Sequence, residues 1–581
     1  MQSMEDLPAA PSRADAGAAR PLPARRPRHA TLAVHLLAYG LVLLALMLVG
    51  PIGSWTSDDG AYAIESATLD ATGAWSLDHP LIASDPEGAS FGFVNSERGG
   101  DRWYTYAKHP VWVLVLSVFH RLGGDGALFL PTLIGAVGAA AAAWCVAGLG
   151  DRRWSIPAFW LVALGPVAAQ STGLWAHAPS AALGGAATFA AVALVRHGFG
   201  AARIAGLTAA LVAGVLLRSE GLLFAGAVVV ALGGFELWTH AGVTRVTAAL
   251  RTTVLPGAAV LLALVAERAY RASIAPGAGS ALESRAASPS TGWVEGRFRG
   301  AANSLLLAGD QPAPVLLGLA GVALCVVAAV RARRAVGEAE ATSSAVLLGL
   351  AGLAVLAVRY VCFARQPSAG LAPMWPLALI GLILWRWGSA EPWERVLAVA
   401  TGLFAAAILA TQYPEGGGLE IGGRFFAPVA IPVVVLAVAG LDRFWRARPA
   451  AVPARMSSPG WALPAVVVVA GLLVPAGAAA VATESLRSRH AGIVASVADM
   501  HADTVITLEP SLGRIAWRTV PETDWVTATD VEDAQGIAGE LSRLGDRRVA
   551  VFGEGLDGFE ADGWRATEVR PWLVVLDRTG G

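Results

Sequence analysis

Two adjacent carboxylates, Asp58 and Asp59, are the residues of this sequence whose type and spacing first point to chemistry. They follow closely on the apolar run TLAVHLLAYGLVLLALMLVG, which fills residues 31–50. One carboxylate in the first turn of a helix satisfies free backbone N–H groups and meets the positive end of the helix dipole. Two adjacent carboxylates repel each other, and an anionic pair beside hydrocarbon costs free energy unless a cation, water or substrate uses it. The pair therefore indicates either helix capping or functional acids at a membrane face.

The composition of the chain explains why hydrocarbon lies beside these acids. Of its 581 residues 55% are hydrophobic and only 15% are charged, whereas soluble proteins carry about 25% charge. Apolar runs of about 20 residues, long enough to cross a bilayer core, recur up to Ala482. These runs are unbroken and rich in Ala, Leu, Val and Gly, which favours helices over barrel strands. The sequence predicts an all-α polytopic membrane protein, and its net charge of −1 gives no reason to expect a nucleic-acid partner.

Arginine-rich connections alternate along the chain with connections that are poor in arginine, and basic connections belong in the cytoplasm. This alternation predicts about thirteen transmembrane helices in a multi-pass protein of the plasma membrane. We expect residues 1–30 to form a disordered cytoplasmic tail and residues 31–482 to form the membrane domain, with a first external loop at 51–126. Residues 483–581 are expected outside the cell.

The last hundred or so residues change in character. TVITLEP, RRVAVFGEG and ATEVRPWLVVLDR are rich in Val and bounded by turn residues, as is typical of strands. DVEDAQGIAGELSRLG is typical of a helix that is capped by Asp530 and ended by Gly545. The sequence therefore predicts a small extracytoplasmic α/β domain at residues 483–581.

The first external loop contains two predicted helices. One begins at Ser57 or Asp58 and lies along the membrane interface, because Ala61 and Ile64 recur on one face. The other is the apolar stretch HPVWVLVLSVFHRLGG at 109–124, which we expect to be a surface helix or a shallow re-entrant one.

The acidic pair, the helix that it opens and four further stretches resemble a known family. The stretches are YAKHPVWVLVLSVFHRL, GLWAHAPSAALGGAA, LLRSEGLLF and GGRFFAPVAIP. Together they are similar to the polytopic GT-C fold glycosyltransferases, which take sugars from lipid-phosphate donors and include protein O-mannosyltransferases and lipid A aminoarabinose transferases. The motifs are short and degenerate, but they cover most of the membrane part in the same order, and they match the bacterial branch of the family. The composition bias towards Ala, Gly and Arg is typical of a high-GC bacterium such as an actinomycete.

The resemblance implies a reaction and a base. Such an enzyme moves a sugar from a polyprenyl-phosphate donor to an extracytoplasmic acceptor (a cell-envelope glycan, a lipid or a protein) with inversion at the anomeric carbon. By this resemblance Asp58 is the base that accepts the proton of the acceptor hydroxyl. Asp59 is expected to orient Asp58, to bind a divalent cation or to cap the helix, and these three roles remain open.

The donor phosphate calls for cations at the outer membrane boundary. The candidates in the matching stretches are Lys108, His109, Arg218 and Arg424, and His177 and Glu220 are candidates for substrate binding. A basic residue at the end of a span also snorkels to the interface without a function. Many family members carry a second acid in a later external loop, but QSTGLWAHAPS contains none. We therefore assign no metal ligand and no certain cofactor, and we leave a divalent cation open.

Two other classes of protein compete with a glycosyltransferase. A transporter or a flippase of cell-envelope precursors would also have about a dozen spans, but it would bury ionisable residues near mid-membrane or show two similar halves. A scaffold would use the C-terminal domain to bind a partner. Clustering of the acids outside the spans favours the transferase.

Overall fold

The computed structural model describes residues 29–48, 56–77, 81, 97–99, 102–104, 109–274, 293–306, 311–334, 339–363, 370–411, 422–447 and 462–579. The tail predicted at 1–30 lies outside these residues except for its last two positions. Lys108 also lies outside them.

The prediction of a helical chain that crosses a membrane many times is confirmed. Ten helices of the described part are long and apolar enough to span a bilayer. They are α1 (His29–Leu48), α4 (Leu130–Gly150), α7 (His177–His197), α9 (Glu220–Thr239), α10 (Gly242–Ile274), α12 (Pro312–Arg334), α13 (Ala339–Cys362), α16 (Pro392–Thr411), α17 (Ala430–Arg446, continuing a 3₁₀ turn Arg424–Val429) and α18 (Ala462–Met500).

Three shorter apolar segments lie between these spans. One is α8 (Ala201–Leu217), and the others are broken helices, α5 (Ser155–Ala163) with α6 (Pro166–Gln170) and α14 (Leu371–Met374) with α15 (Pro376–Leu384). Each break comes at a proline, which lacks the backbone N–H that a continuous helix needs. The described part thus has ten helices of spanning length and three shorter apolar segments, where the sequence predicts about thirteen spans.

The segment after α1 forms the two helices that the sequence predicts for the first loop. α2 runs from Ser57 to Thr72 and α3 from Pro110 to Ala127, and a short hairpin, β1 (Glu97–Gly99) and β2 (Arg102–Tyr104), lies between them. α2 ends at Gly73, which adopts a left-handed conformation with φ 70°. A further helix, α11 (Trp293–Leu305), precedes α12.

The centre of the membrane part is the span formed by the 3₁₀ turn and α17, which is 89% buried among its neighbours. Small residues permit this burial. A side chain at Gly184 of α7 would overlap the carbonyl of Pro428, and one at Gly440 of α17 would overlap the carbonyl of Gly381 in α15. The first of these close approaches lies near the beginning of the span, where Arg424 lies, and the second lies near its other end.

The C-terminal domain is an α/β domain, as predicted. Its strands are β3 (Thr504–Thr507), β4 (Asp524–Thr527), β5 (Arg548–Phe552), β6 (Trp564–Arg570) and β7 (Leu573–Arg578), in the sheet order β4-β3-β5-β7-β6. β4 and β5 pair parallel to β3, while β7 pairs antiparallel to both β5 and β6. α19 (Leu512–Ile515) lies between β3 and β4.

Helix α20 (Val531–Leu544) connects β4 to β5. The side chain of Asp530 accepts from the Asp533 N–H, and Gly545 ends the helix with φ 110°, as the sequence predicts. The domain boundary predicted at 482/483 falls inside α18, which continues to Met500. The charged residues from Glu484 onward end the apolar run but still favour a helix, so helix and apolar run end at different places.

Candidate active site around helix α2

The two acids at the start of α2 have different surroundings. Asp59 is completely buried, and its Oδ2 accepts from the backbone N–H of Thr56 at 3.2 Å. Its Oδ1 accepts from the backbone N–H of Leu174 at 2.7 Å. Asp59 thus caps α2 and ties it to the loop 171–176, so these contacts match the capping role among the three left open for it.

Asp58 keeps 36% of its side chain exposed. Its Oδ1 lies 3.6 Å from Nη1 of Arg514, a buried residue of α19 in the C-terminal domain. The approach of the two helices depends on Gly60, because a side chain there would overlap the carbonyl oxygen of Arg514. The stretch SDDG therefore presents one acid at the surface, buries the other and supplies the contact to the C-terminal domain.

The loop 171–176 is fixed from several sides. Trp112 of α3 donates from Nε1 to the carbonyl of Leu174 at 2.7 Å, and Thr132 donates from its hydroxyl to the carbonyl of Ser171 at 2.7 Å. The loop carries Trp175, whose ring centroid lies 5.3 Å from that of His177. His177, at the start of α7, is buried.

Arg218 and Glu220 form a two-pronged ion pair at the turn between α8 and α9. Arg218 donates from Nε to Oε2 of Glu220 at 3.0 Å and from Nη2 to Oε1 at 2.9 Å. Only 9% of the arginine side chain and 1% of the glutamate side chain are exposed. The two charges of the pair cancel each other, and this weakens the attraction of Arg218 for a phosphate.

Arg424 follows two glycines with left-handed backbones, Gly422 (φ 61°) and Gly423 (φ 63°), as only glycine adopts readily. It is buried, and its guanidinium carbon lies 4.3 Å from the ring centroid of Trp175 and 4.9 Å from that of Phe425. An aromatic face attracts a cation without cancelling its charge. Arg424 is thus held in place by rings.

His109 begins α3 in a left-handed conformation with φ 54°, which is uncommon for a residue other than glycine. Its side chain is buried. Such strained positions cost about 1–3 kcal/mol and cluster at functional sites. The chain gives His109 this conformation just before Pro110, which starts the helix.

The candidate residues converge at one end of the helical bundle. We call this end the α2 face and define it by α2, the loop 171–176, the turn 218–220 and residues 422–424. His177 lies within electrostatic reach of four of the other candidates, His109, Arg218, Glu220 and Arg424. Every site residue predicted from the sequence, apart from Lys108, therefore belongs to the α2 face or touches it.

Tyr62 lies within electrostatic reach of both Asp58 and the Arg218–Glu220 pair. Burial raises the pKa of its hydroxyl, and the charges of Arg218, Asp58, Glu65 and Glu220 act on it. Tyr62 lies one helical turn after Asp58 and Glu65 lies two turns after it, on the same side of α2. This spacing can be read from the sequence.

The chain is similar to ArnT from Cupriavidus metallidurans. The likeness to its crystal structure bound to undecaprenyl phosphate covers 95% of this chain and 98% of that chain, at 13% identity and a TM-score of 0.49. A second likeness is to the archaeal oligosaccharyltransferase AglB from Archaeoglobus fulgidus, in complex with an inhibitory peptide and a dolichol-phosphate. It covers 90% of this chain and 70% of that chain, at 12% identity and a TM-score of 0.43.

ArnT and AglB are GT-C fold glycosyltransferases, the class that the sequence motifs resemble. No protein-family model and no curated protein matches the sequence.

Two residues beside the α2 face, Arg514 and Arg487, were not predicted from the sequence. No sequence pattern indicates Arg514, because its neighbour Asp58 is distant in the chain. Arg487 of α18 is completely buried, lies within electrostatic reach of Asp59 and has its guanidinium carbon 5.6 Å from the ring centroid of Phe129. Within the described ranges, His, Cys, Asp and Glu residues form no group of three or more that could hold a metal ion.

Proposed function

We propose that this protein is a membrane glycosyltransferase that moves a sugar from a polyprenyl-phosphate donor to an extracytoplasmic acceptor, with Asp58 as the base. The acceptor is a glycan, lipid or protein of the cell envelope, and the α2 face is the side turned away from the cytoplasm. The observation that carries the proposal is the gathering of Asp58, His177, Arg218 and Arg424 at one end of the spans.

The proposed reaction is a single displacement. The acceptor hydroxyl oxygen forms a bond to the anomeric carbon while the bond from that carbon to the phosphate oxygen breaks. The electron pair leaves with the lipid phosphate, and the hydroxyl proton passes to Asp58. Because the hydroxyl attacks opposite the phosphate, the anomeric configuration inverts. The protein mainly has to align the two reactants and receive the proton.

The difference between the two acids supports Asp58 as the base. Both oxygens of Asp59 accept backbone N–H groups, whereas Asp58 is partly exposed at the start of α2. A base must come within hydrogen-bond reach of the proton that it accepts, which requires access to the acceptor. Nη1 of Arg514 lies 3.6 Å from Oδ1 of Asp58, so the two side chains form an ion pair at the contact with the C-terminal domain.

Arg424 is our first choice for the donor phosphate. Two aromatic rings hold its guanidinium group, 4.3 Å from the ring centroid of Trp175 and 4.9 Å from that of Phe425, at the beginning of the central span. Arginine binds phosphate through a planar fork of N–H donors. In this proposal His109 and His177 lie beside the donor phosphate and Lys108 is a further cation. The Arg218–Glu220 pair lies at the edge of the phosphate site.

The experiment compares purified Asp58→Asn and Asp125→Asn with the parent protein. Asp125 is a matched control because it also lies in the first external segment, is 39% exposed and pairs with an arginine of the C-terminal domain, Arg518, at 3.2 Å. Each protein is incubated with a panel of radiolabelled polyprenyl-phosphate sugars, with cell-envelope membranes as acceptor. Loss of a general base lowers the rate by about 10²–10⁴-fold.

We expect transfer by the parent protein and by Asp125→Asn, and none above background by Asp58→Asn. Equal transfer by both variants would show that Asp58 is not the base. A parent protein that transfers no sugar from any donor, but moves a labelled lipid between leaflets, would replace the transferase by a flippase.

A further inference from the structure

The sheet of the C-terminal domain has the strand order of a ligand-binding sheet. β3 lies between the two strands parallel to it, β4 on one side and β5 on the other. The chain passes from β3 to β4, then crosses back over β3 to form β5. Connections that leave two neighbouring parallel strands in opposite directions open a crevice at their carboxyl ends, and ligands of open α/β sheets bind there.

A cavity of about 740 Å³ lies at this crevice. Its wall includes the residues that directly follow β3 (Leu508 and Glu509) and those that directly follow β5 (Gly553 and Glu554). A side chain at Gly553 would overlap the side chain of Leu508, so glycine lets these two residues of the lining lie side by side. Small-molecule sites in proteins usually have volumes of about 300–1,000 Å³.

The lining of the cavity has the chemistry of a sugar site. Trp572 is 44% exposed and stacks on Phe552, with ring centroids 5.8 Å apart. A flat aromatic ring packs against the C–H face of a sugar, while carboxylates accept from its hydroxyls. Glu509 and Glu554 supply such acceptors and Arg489 of α18 supplies donors.

The charges in the lining select against anions. Two carboxylates and one guanidinium leave a formal charge of −1, so a phosphate or a uronic acid would be repelled. Arg570 lies near the ring of Trp572, with its guanidinium carbon 5.7 Å from the centroid, but it also pairs with Glu568. A neutral, polyhydroxylated ligand fits this balance.

The cavity is connected to Asp58 by a single turn of helix. Leu512, the first residue of α19, lines the cavity, and Arg514 of the same helix reaches Asp58. A ligand in the cavity therefore lies on one side of α19 and the carboxylate on the other.

We propose that the crevice between β3 and β5 binds a neutral oligosaccharide and holds it as the acceptor of the sugar. That the oligosaccharide is the acceptor rests on the proposed function, whereas its binding in the crevice does not. The C-terminal domain, whose role the sequence left open, is then the part of the protein that recognises the glycan to be extended.

The test uses the full chain in detergent and measures binding of linear, neutral hexose and pentose oligosaccharides of two to six units, with oligosaccharides that contain uronic acid as the anionic probe. The variant is Trp572→Ala. Trp445→Ala is the control, because Trp445 is 47% exposed but lies at the far end of α17. An aromatic contact of about 0.5–1.5 kcal/mol corresponds to a two- to twelvefold change in Kd.

We expect a neutral oligosaccharide to bind the parent protein and Trp445→Ala equally and to bind Trp572→Ala three- to tenfold more weakly. The acceptor KM of Trp572→Ala should rise by the same factor, at unchanged kcat. Failure of every neutral probe to bind, equal binding by Trp572→Ala and Trp445→Ala, or preference for the anionic probes would overturn the site.

The Asp58→Asn variant separates this proposal from the proposed function. If it binds the oligosaccharide but transfers no sugar, both stand. If the parent protein binds the oligosaccharide but transfers no sugar from any donor, the proposed function fails and the binding site remains. If transfer depends on Asp58 while no oligosaccharide binds, the function remains and the site is refuted.

Discussion

The α2 face and the crevice of the C-terminal domain both combine aromatic rings with ionisable groups, but they treat charge in opposite ways. At the α2 face the charged side chains other than Asp58 are buried and held, as in the Arg218–Glu220 pair and in Arg424 against Trp175. In the crevice Glu554, Arg489 and Trp572 are exposed. Buried, fixed charges stabilise the charge that develops in a reaction, because they need not reorganise. Exposed groups suit reversible recognition, where each contact contributes little.

The largest effect expected from this contrast follows from Glu220→Gln. The change leaves Arg218 buried without its carboxylate, and breaking a buried ion pair costs about 3–5 kcal/mol. We expect a clear fall in the apparent melting temperature of the detergent-solubilised protein. The control is Glu568→Gln, which breaks the exposed pair with Arg570, and exposed pairs contribute about 0–1 kcal/mol. Similar melting temperatures for the two variants would remove the distinction between the two regions.

Gly60→Ala should have an intermediate effect and act on the contact between the two regions. The added methyl group overlaps the carbonyl of Arg514, so α2 and α19 must separate. Overpacking of this kind costs about 1–3 kcal/mol. We expect faster proteolysis at the junction of α18 with the C-terminal domain, and reduced transfer because Arg514 no longer reaches Asp58.

Gly73→Ala serves as the control for Gly60→Ala. It strains the left-handed end of α2, but a side chain there meets no atom within 4 Å. If both variants leave the junction equally protected, the helices are not held together at Gly60.

The smallest effect is a difference in pH dependence. Burial raises the pKa of Asp524 and of Asp546 in the C-terminal domain, so the folded domain holds these protons more tightly than the unfolded chain. The resulting stability is fully present below the ordinary pKa of 3.8 and is lost as the pH rises through the raised values. Hydrogen bonds from Arg121 and His120 lower the pKa of Asp70 on α2, so its contribution is instead lost on acidification below 3.8.

Mild acidification should therefore protect the C-terminal strands and leave α2 unchanged. Hydrogen exchange of the β4, β5 and α2 amides, corrected for the intrinsic rate at each pH, measures this. In Asp546→Asn the protection of the strands should depend less on pH. Equal pH dependence in the parent protein and in this variant would contradict the assignment to Asp546.

The sequence predicted which residues gather at the α2 face better than it predicted how they pair there. His109, His177, Arg218 and Arg424 could be chosen because they lie at the ends of apolar runs or in short motifs. That Glu220 pairs with Arg218 could not be read from the spacing, because residues two apart in a turn meet only in some conformations. The contact of Arg514 with Asp58 could not be predicted from the sequence, because Asp58 lies in another domain.

The sequence by itself determined the apolar helices, the start of α2 at Ser57, the capping of α20 by Asp530 and the strands of the C-terminal domain. These features depend on hydrophobic periodicity and on hydrogen bonds between residues close in the chain. Only the tertiary structure decided that Asp59 is buried while Asp58 stays accessible, and that the crevice between β3 and β5 lies one helical turn from Asp58. Both outcomes depend on packing between segments that are distant in sequence, and no local pattern encodes that packing.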